Sequence, residues 1–145
     1  MKKLFLLAFL LIAFGFSKVQ LPPLNTDAES IDVVKSQDVI LDAFENQLSD
    51  IQVHGTGTVI RILPDDLEGN RHQRFIIQLK SGQTLLIAHN IDLAPRIKNL
   101  NKGDPIEFYG EYEWSHKGGV IHWTHLSPSG NHEDGYLKHN GTLYN

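Results

Sequence analysis

The sequence predicts a mainly β protein built as one small barrel. From Val53 onward, β-branched and alternating apolar residues recur in five short runs, and polar turns separate the runs. Between the third and fourth runs, Ile91, Leu93, Ile97 and Leu100 have the spacing of a short helix or packed turn. Three strands, a short helix and two strands follow one another in the five-stranded OB barrel, so we expect a barrel of that type.

The N-terminal segment predicts export. Lys2 and Lys3 precede an unbroken apolar run of 13 residues, Leu4 to Phe16. A helix of that length rises about 20 Å, which is too short for a hydrocarbon core of about 30 Å. We therefore interpret residues 1–17 as a signal peptide. The mature chain then starts near Lys18, is periplasmic or secreted, and has no membrane span.

One helix is predicted before the strands. Residues 18–36 contain two consecutive prolines and little periodicity, so we expect an extended lead-in there. Residues 37–48 form the predicted helix, because their apolar side chains, from Val39 to Leu48, follow one helical face. Ser36 is suited to cap its N-terminus.

Residues 37–145 are predicted to form a single domain. The tail after residue 125 is turn-rich, and its apolar residues are expected to pack against the barrel. These residues are Tyr136, Leu137, Leu143 and Tyr144. The predicted strands are 53–63, 73–79, 84–89, 106–112 and 120–125, and the short helix or packed turn is 90–100.

The composition limits the classes of partner. Without Lys2 and Lys3, 11 basic residues face 17 acidic ones, a net charge of −6. General nucleic-acid-binding proteins have a basic surface, so the chain has no strong nucleic-acid signature overall, although a local basic groove stays open. The chain has no cysteine, so neither disulfides nor thiolate sites are available to an exported protein.

The run VIHWTH, residues 120–125, raises the question of a metal site. Strand alternation predicts that His122 and Thr124 share one face and that Trp123 joins Ile121 in the core. Histidines here and in the tail reach the number of ligands that zinc needs, which leaves a divalent metal open as a cofactor. Hydrogen-bonded structural histidines are the alternative. The candidate metal ligands are His122, His125 and His132.

Arginines near two turns indicate an anion site. Their forked guanidinium groups bind phosphate or carboxylate, so an anionic small molecule or oligomer is the expected partner. Ion pairing with the acidic residues Asp65, Asp66 and Glu68 is the alternative. The candidate ligand-binding arginines are Arg71, Arg74 and Arg96.

A catalytic interpretation rests on the histidines of the same segments. His89 and Asp92 could pair so that the carboxylate orients the imidazole as a general base, whereas an N-cap role is the alternative for Asp92. His72 and His122 complete the candidate catalytic set.

The segment GEYEW, with the strand before it, adds carboxylates and aromatic rings. Glu111 and Glu113 share a strand face and could bind a cation, although a solvated outer face is the alternative. Tyr109 and Trp114 are candidates to stack on a ligand, with burial in the core as the alternative.

Three stretches resemble an uncharacterised family of short exported bacterial proteins, a domain of unknown function. They read GTVIRILPDDLEGNRHQRFIIQL, SGQTLLIAHNIDLAPRI and GDPIEFYGEYEWSHKGGVIHWTH. The resemblance covers about residues 36–145 and implies family identity and export, but no activity. The tail matches the same pattern at Pro128, Gly130, His132, Gly135, His139 and Tyr144.

A second resemblance is to the layout of staphylococcal-type nucleases, whose OB barrel carries calcium-binding aspartates. TVIRILPDD followed by LLIAHNIDLAPR is similar to that layout, and Asp66 and Asp92 match the two aspartates. Ile87 stands where the resemblance would require arginine, and no glutamate follows Pro95. The nuclease mechanism is therefore not carried over.

Three functions are compatible with these patterns. The leading interpretation is an exported OB-like protein that binds a polar, anionic ligand. The alternatives are a histidine- and aspartate-dependent hydrolase, as a phosphodiesterase or nuclease, and an envelope protein-interaction module.

Overall fold

The chain forms one helix and seven strands over residues 26–145, the part described by a computed structural model, with side chains described from residue 36. The predicted signal peptide and residues 18–25 of the predicted lead-in lie outside this part. The elements are α1 Thr26–Glu45, β1 Ile51–Ile62, β2 His72–Gln78, β3 Thr84–Asn90, β4 Pro105–Glu113, β5 Val120–His122, β6 Tyr136–His139 and β7 Thr142–Tyr144.

Five of the strands close into a barrel. β1 pairs with β2 and with β4, β2 pairs with β3, and β4 pairs with β5, all antiparallel, while β3 and β5 pair in parallel. The circuit β1-β2-β3-β5-β4-β1 is therefore complete, which confirms the prediction of a mainly β protein with a five-stranded barrel. A register shift in β1 between Val59 and Arg61 helps that strand to bend around the barrel.

Alternation along the strands sets the inside and the outside of the barrel. In β2 and β3 every second residue is buried, from Gln73 to Ile77 and from Leu85 to His89. The residues between them face outward. The fully buried apolar residues of the barrel are Val59, Phe75, Ile77, Leu85, Ile87, Phe108, Tyr112, Ile121 and Leu137.

Two short strands from the tail extend the sheet. β6 pairs with the Ile106–Tyr109 part of β4, and β7 pairs with β6. Asn140 and Gly141 connect them with φ angles of 49° and 77°, which is the geometry of a tight two-residue hairpin turn. The tail thus packs onto the barrel as predicted, but as a hairpin, and the prediction is wrong for Leu143, which is exposed.

The helix begins earlier than predicted. α1 starts at Thr26, so the prediction of an extended lead-in is wrong for residues 26–36. The sequence contains a reason, because Thr26 and Glu29 have the spacing of a capping box. Ile40 and Ala43 are buried in the core, and the side chain of Trp114 donates a hydrogen bond to the carbonyl of Phe44 at 3.1 Å.

The connection between β3 and β4 contains turns and no helix, so the prediction of a short helix there is wrong. The backbone N–H and C=O of Ile97 are both hydrogen-bonded by the buried amide of Gln73, at 2.9 and 3.0 Å. Asn99 has a positive φ of 56°, and Pro95 lacks an N–H. In a helix, the N–H and C=O of Ile97 would form hydrogen bonds with backbone groups one turn away. Here both are bonded to the side chain of Gln73 instead.

The fifth strand is shorter than predicted. β5 ends at His122, because Trp123 has a left-handed φ of 52°. The alternation is reversed beyond that point, so Thr124 is fully buried and Trp123 is only half-buried. The prediction that Trp123 joins Ile121 in the core, with Thr124 facing outward beside His122, is wrong. Within residues 26–145, no helix is both long enough and apolar enough to cross a bilayer.

Candidate metal centre

The outward faces of β2, β3, β5 and β4 form a cleft of about 400 Å³. His72 and Arg74 lie on one wall, and Glu113 and His122 lie on the other. The floor is apolar and consists of Leu86, Ala88 and Val120. Asp66 closes one side, because its backbone forms a bridge with His72 at 2.8 and 2.9 Å.

Glu111, Glu113 and His122 meet at this cleft because of strand register. Glu111 of β4 is paired with His122 of β5, and Glu113 lies two residues farther along β4 on the same face. His122 Nε2 lies 3.2 Å from Glu111 Oε1 and 3.5 Å from Glu113 Oε1. One potential ligand atom from each residue lies within 4.8 Å of the other two.

Within residues 36–145, the Nε2 atom of His122 has no hydrogen-bond partner. It is shielded from solvent, and neither carboxylate meets it with the angles of a hydrogen bond, despite the short distances. A buried polar atom without a partner is costly. Two ligands bound at about 2.0–2.1 Å to a tetrahedral ion lie about 3.3–3.4 Å apart, so the separations of 3.2 and 3.5 Å from Nε2 to the carboxylates fit a metal site.

Close packing holds the two strands in this register. A Cβ atom on Gly110, the residue before Glu111 on β4, would collide with the carbonyl oxygen of His122. Glycine therefore lets β5 approach β4 closely at the point where the imidazole and the carboxylates meet.

His132 contacts the centre through Glu111. Its Nε2 lies 2.6 Å from Glu111 Oε2, and its Nδ1 donates to the carbonyl of Glu133 at 2.7 Å. The hydrogen bond to Glu111 raises the pKa of His132. Its ring is stacked on Trp123 with centroids 4.0 Å apart, so His132 is held beside the cluster without belonging to it.

The loop that carries His132 closes on itself. The N–H of Gly135 donates to the carbonyl of His125 at 2.9 Å, and the N–H of Ser127 donates to Asp134 at 2.7 Å. His125 is buried, and its Nδ1 donates to the carbonyl of Leu126 at 2.7 Å. Of the three predicted metal ligands, the structure places only His122 in the cluster.

His89 has a structural environment. The carbonyl of Pro95 can only accept, so His89 Nε2 donates to it at 3.0 Å and Nδ1 accepts from Thr124 Oγ1 at 2.8 Å. Burial lowers the pKa of His89 to about 4. The imidazole is therefore neutral and fully enclosed, and the predicted His89–Asp92 pair does not form.

Two of the predicted ligand-binding arginines are neutralised by carboxylates. Arg71 binds Asp92 through its backbone N–H and its side chain at 2.6–2.7 Å, and these bonds lower the pKa of Asp92. Arg96 binds Asp65 at 2.9 Å. Arg74 differs, because its Nε donates to the carbonyl of Pro64 at 3.1 Å and no carboxylate in residues 36–145 forms an ion pair with it.

The predicted aromatic ligand-binding residues lie elsewhere. Tyr109 donates to Glu133, which raises its pKa, and Trp114 is held against α1. The aromatic residue beside the cleft is Trp123, which lines a smaller cavity of about 230 Å³ together with His72, His122 and His125. The sequence analysis placed Trp123 in the core, because only its left-handed φ brings the side chain to the surface.

Comparison with known proteins gives a family and no function. No curated protein matches the chain. The family model described as "Protein of unknown function (DUF3465)" matches residues 25–145, which include the whole barrel, the cleft and the tail hairpin. The chain therefore belongs to the DUF3465 family, a family of unknown function that the earlier resemblance anticipated.

Proposed function

We propose that this protein binds a divalent metal ion through Glu111, Glu113 and His122, and that the ion holds an anionic ligand in the cleft. The observation that carries the proposal is the buried Nε2 of His122, which lies between two carboxylates at 3.2 and 3.5 Å without a hydrogen bond. An ion at this point would satisfy the nitrogen and both carboxylates at once.

Zinc is the ion that fits best. The donors are one imidazole nitrogen and two carboxylate oxygens, and the chain contains no cysteine. Zinc accepts this combination and keeps a fourth position open for a ligand when the protein supplies three donors. Magnesium and calcium prefer six or more oxygen ligands, which this cluster does not offer.

The charges of the cleft make anion binding depend on the ion. Glu113 and Asp66 line the cleft, Glu111 adjoins it through the cluster with Glu113 and His122, and Arg74 is the arginine on its wall. Without a cation, the carboxylates repel an anion. A divalent ion reverses that balance, so a phosphate or carboxylate could bridge the ion and the guanidinium of Arg74.

The finer description of the protein is also a proposal. We infer that the barrel is of the OB type, and the strand circuit with parallel β3 and β5 supports this. The apolar run after Lys2 and Lys3 supports export. N-terminal sequencing of protein expressed in a bacterial host should find a start near Lys18, and retention of Met1 on a membrane-bound chain would refute export.

A metal-dependent phosphodiesterase is the second candidate. The observation that favours it is that His72 and His122 line the same two cavities, so a second imidazole faces the space next to the proposed ion. In hydrolysis, a water oxygen would bond to phosphorus while the ester P–O bond breaks. His72 could pass the proton of that water to the leaving oxygen. Loss of turnover in His72→Ala, with zinc still bound, is the measurement that supports this candidate.

The test of the main proposal is zinc binding to metal-free mature protein, measured by competition with a chromogenic chelator. We expect one zinc per chain, and a loss of affinity of about 100-fold or more in His122→Ala and Glu113→Gln. His116→Ala is the matched control, because His116 is exposed in the turn before β5 and is outside the cluster. Equal affinity in the parent protein and His122→Ala would overturn the proposal.

A further inference from the structure

A third cavity adjoins the cleft. It has a volume of about 490 Å³ and lies next to the β4–β5 turn. Arg61 of β1 and Lys117 of that turn are its cationic lining residues. It shares Leu86 and Val120 with the cleft. The smaller cavity beside Trp123 shares His72, Ala88 and His122 with the cleft. The three cavities therefore lie side by side on one face of the barrel, and together we name them the groove.

The groove follows the outward face of β3. Thr84 lines one end, Leu86 and Ala88 line the middle, and Asn90 lines the other end. Outward residues of a strand are spaced at about 6.8 Å, so the groove is about 20 Å long. A stacked strand of nucleotides rises about 3.4 Å per unit, so this length matches about six stacked nucleotides, or fewer when the strand is extended.

The lining combines cationic and apolar groups. Arg61 and Lys117 have no carboxylate partner within residues 36–145. The apolar side chains of Leu63, Ile76 and Val120 line the same cavity as these two cations. A chain of nucleotides carries a phosphate and an apolar base face in every unit, so it matches this combination.

We propose that this groove binds a single-stranded oligonucleotide, with one phosphate between Arg74 and the metal ion and another between Arg61 and Lys117. The inference rests on the metal site of the proposed function, because the carboxylates at the centre of the groove must be neutralised before a phosphate can enter. The negative net charge of the chain does not oppose it, since the cations that matter lie within a few ångströms of the groove.

The test compares dye-labelled thymidine oligonucleotides of two and six units by fluorescence anisotropy, with saturating zinc and with chelator. The six-unit oligonucleotide should bind at least tenfold more tightly than the two-unit one, and only with zinc. Arg61→Ala with Lys117→Ala should remove that advantage. It should also lower the magnitude of the slope of log affinity against log salt by about 0.7, the value for one phosphate contact on a single strand.

The matched control is Lys98→Ala with Lys102→Ala, which removes the same charge from exposed positions outside the groove. It should bind like the parent protein. Zinc binding is measured separately for every variant. If zinc binds and the two oligonucleotides bind equally or not at all, the groove proposal is overturned while the metal site stands. If polyglutamate displaces the labelled oligonucleotide as strongly as unlabelled oligonucleotide does, the groove proposal is overturned too. If the parent protein binds no zinc, both the metal site and the groove proposal are overturned.

Discussion

At the scale of single residues, two histidines of similar sequence context have opposite roles. His89 points into the barrel and has both ring nitrogens hydrogen-bonded. His122 points outward and has an unpartnered nitrogen between two carboxylates. Strand alternation was sufficient to place His122 on an outer face, because its position on β5 is regular. It could not reveal that Thr124 turns inward to bind His89, because nothing in the side chain of Trp123 encodes a left-handed backbone.

The burial of His89 gives the protein a pH-dependent stability. Its pKa is lowered from 6.5 to about 4, mainly by burial, so the unfolded chain binds a proton more readily between these values. The stabilisation is fully present above about pH 6.5 and is lost as the pH falls toward about 4. The free energy of unfolding should decrease by about 3 kcal/mol over this range from His89 alone.

Urea unfolding at a series of pH values would measure this effect. His89→Gln should be less stable than the parent protein at pH 8, because it disturbs buried hydrogen bonds, but its stability should fall less steeply between pH 6.5 and 4. His116→Gln removes an exposed histidine and should keep the parent profile. Parallel profiles for the parent protein and His89→Gln would contradict the assignment.

At the scale of elements, side chains of the core decide where regular structure stops. Alternation in the sequence predicted the first four strands to within about two residues, since each has one buried face. The connection after β3 was mispredicted, because the apolar spacing of a packed turn resembles that of a helix. The turn forms instead of a helix because the side-chain amide of Gln73, on β2, is hydrogen-bonded to both the N–H and the C=O of Ile97. No local pattern shows such a contact.

Gln73→Leu should therefore destabilise the protein strongly. It leaves the buried N–H of Ile97 without its partner, which costs about 1–3 kcal/mol. It also removes the shorter of the two hydrogen bonds to the C=O of Ile97, which keeps the one from Arg96 at 3.3 Å. Gln78→Leu is the control on the same strand, because Gln78 is exposed and its hydrogen bond to Gly82 is at the surface. Chemical denaturation of both variants gives the comparison. A loss of stability no greater for Gln73→Leu than for Gln78→Leu would show that the amide does not support this turn.

At the scale of the whole molecule, the barrel closes through its shortest strand. β5 has three residues, yet it joins β3 to β4 and completes the circuit. The chain has no disulfide to support this closure. The proposed ion would bind β5 through His122 and β4 through two glutamates. It would therefore link the shortest strand of the barrel to its neighbour. The sequence predicted the five barrel strands in their order along the chain, but it did not predict β6 and β7 of the tail. The depth of the cleft depends on pairings between distant segments, which no local pattern shows.

Zinc should therefore stabilise the fold. At a free zinc concentration 100-fold above Kd, a ligand that binds only the folded state adds about 2.7 kcal/mol to the free energy of unfolding. Thermal unfolding with zinc and with chelator should show this difference in the parent protein and in His116→Ala. It should vanish in His122→Ala, and an unchanged zinc effect in that variant would place the ion elsewhere.

The self-closed loop between His125 and Gly135 has a consequence for how this family can diversify. Its two ends are joined by a hydrogen bond of 2.9 Å, and the strands on either side of it, β5 and β6, pair with neighbouring parts of β4. Residues can therefore be inserted into or deleted from the loop without shifting the register of any barrel strand. Because this loop also carries the imidazole that touches Glu111, relatives could alter the surroundings of the cleft by exchanging one segment and leave the scaffold unchanged.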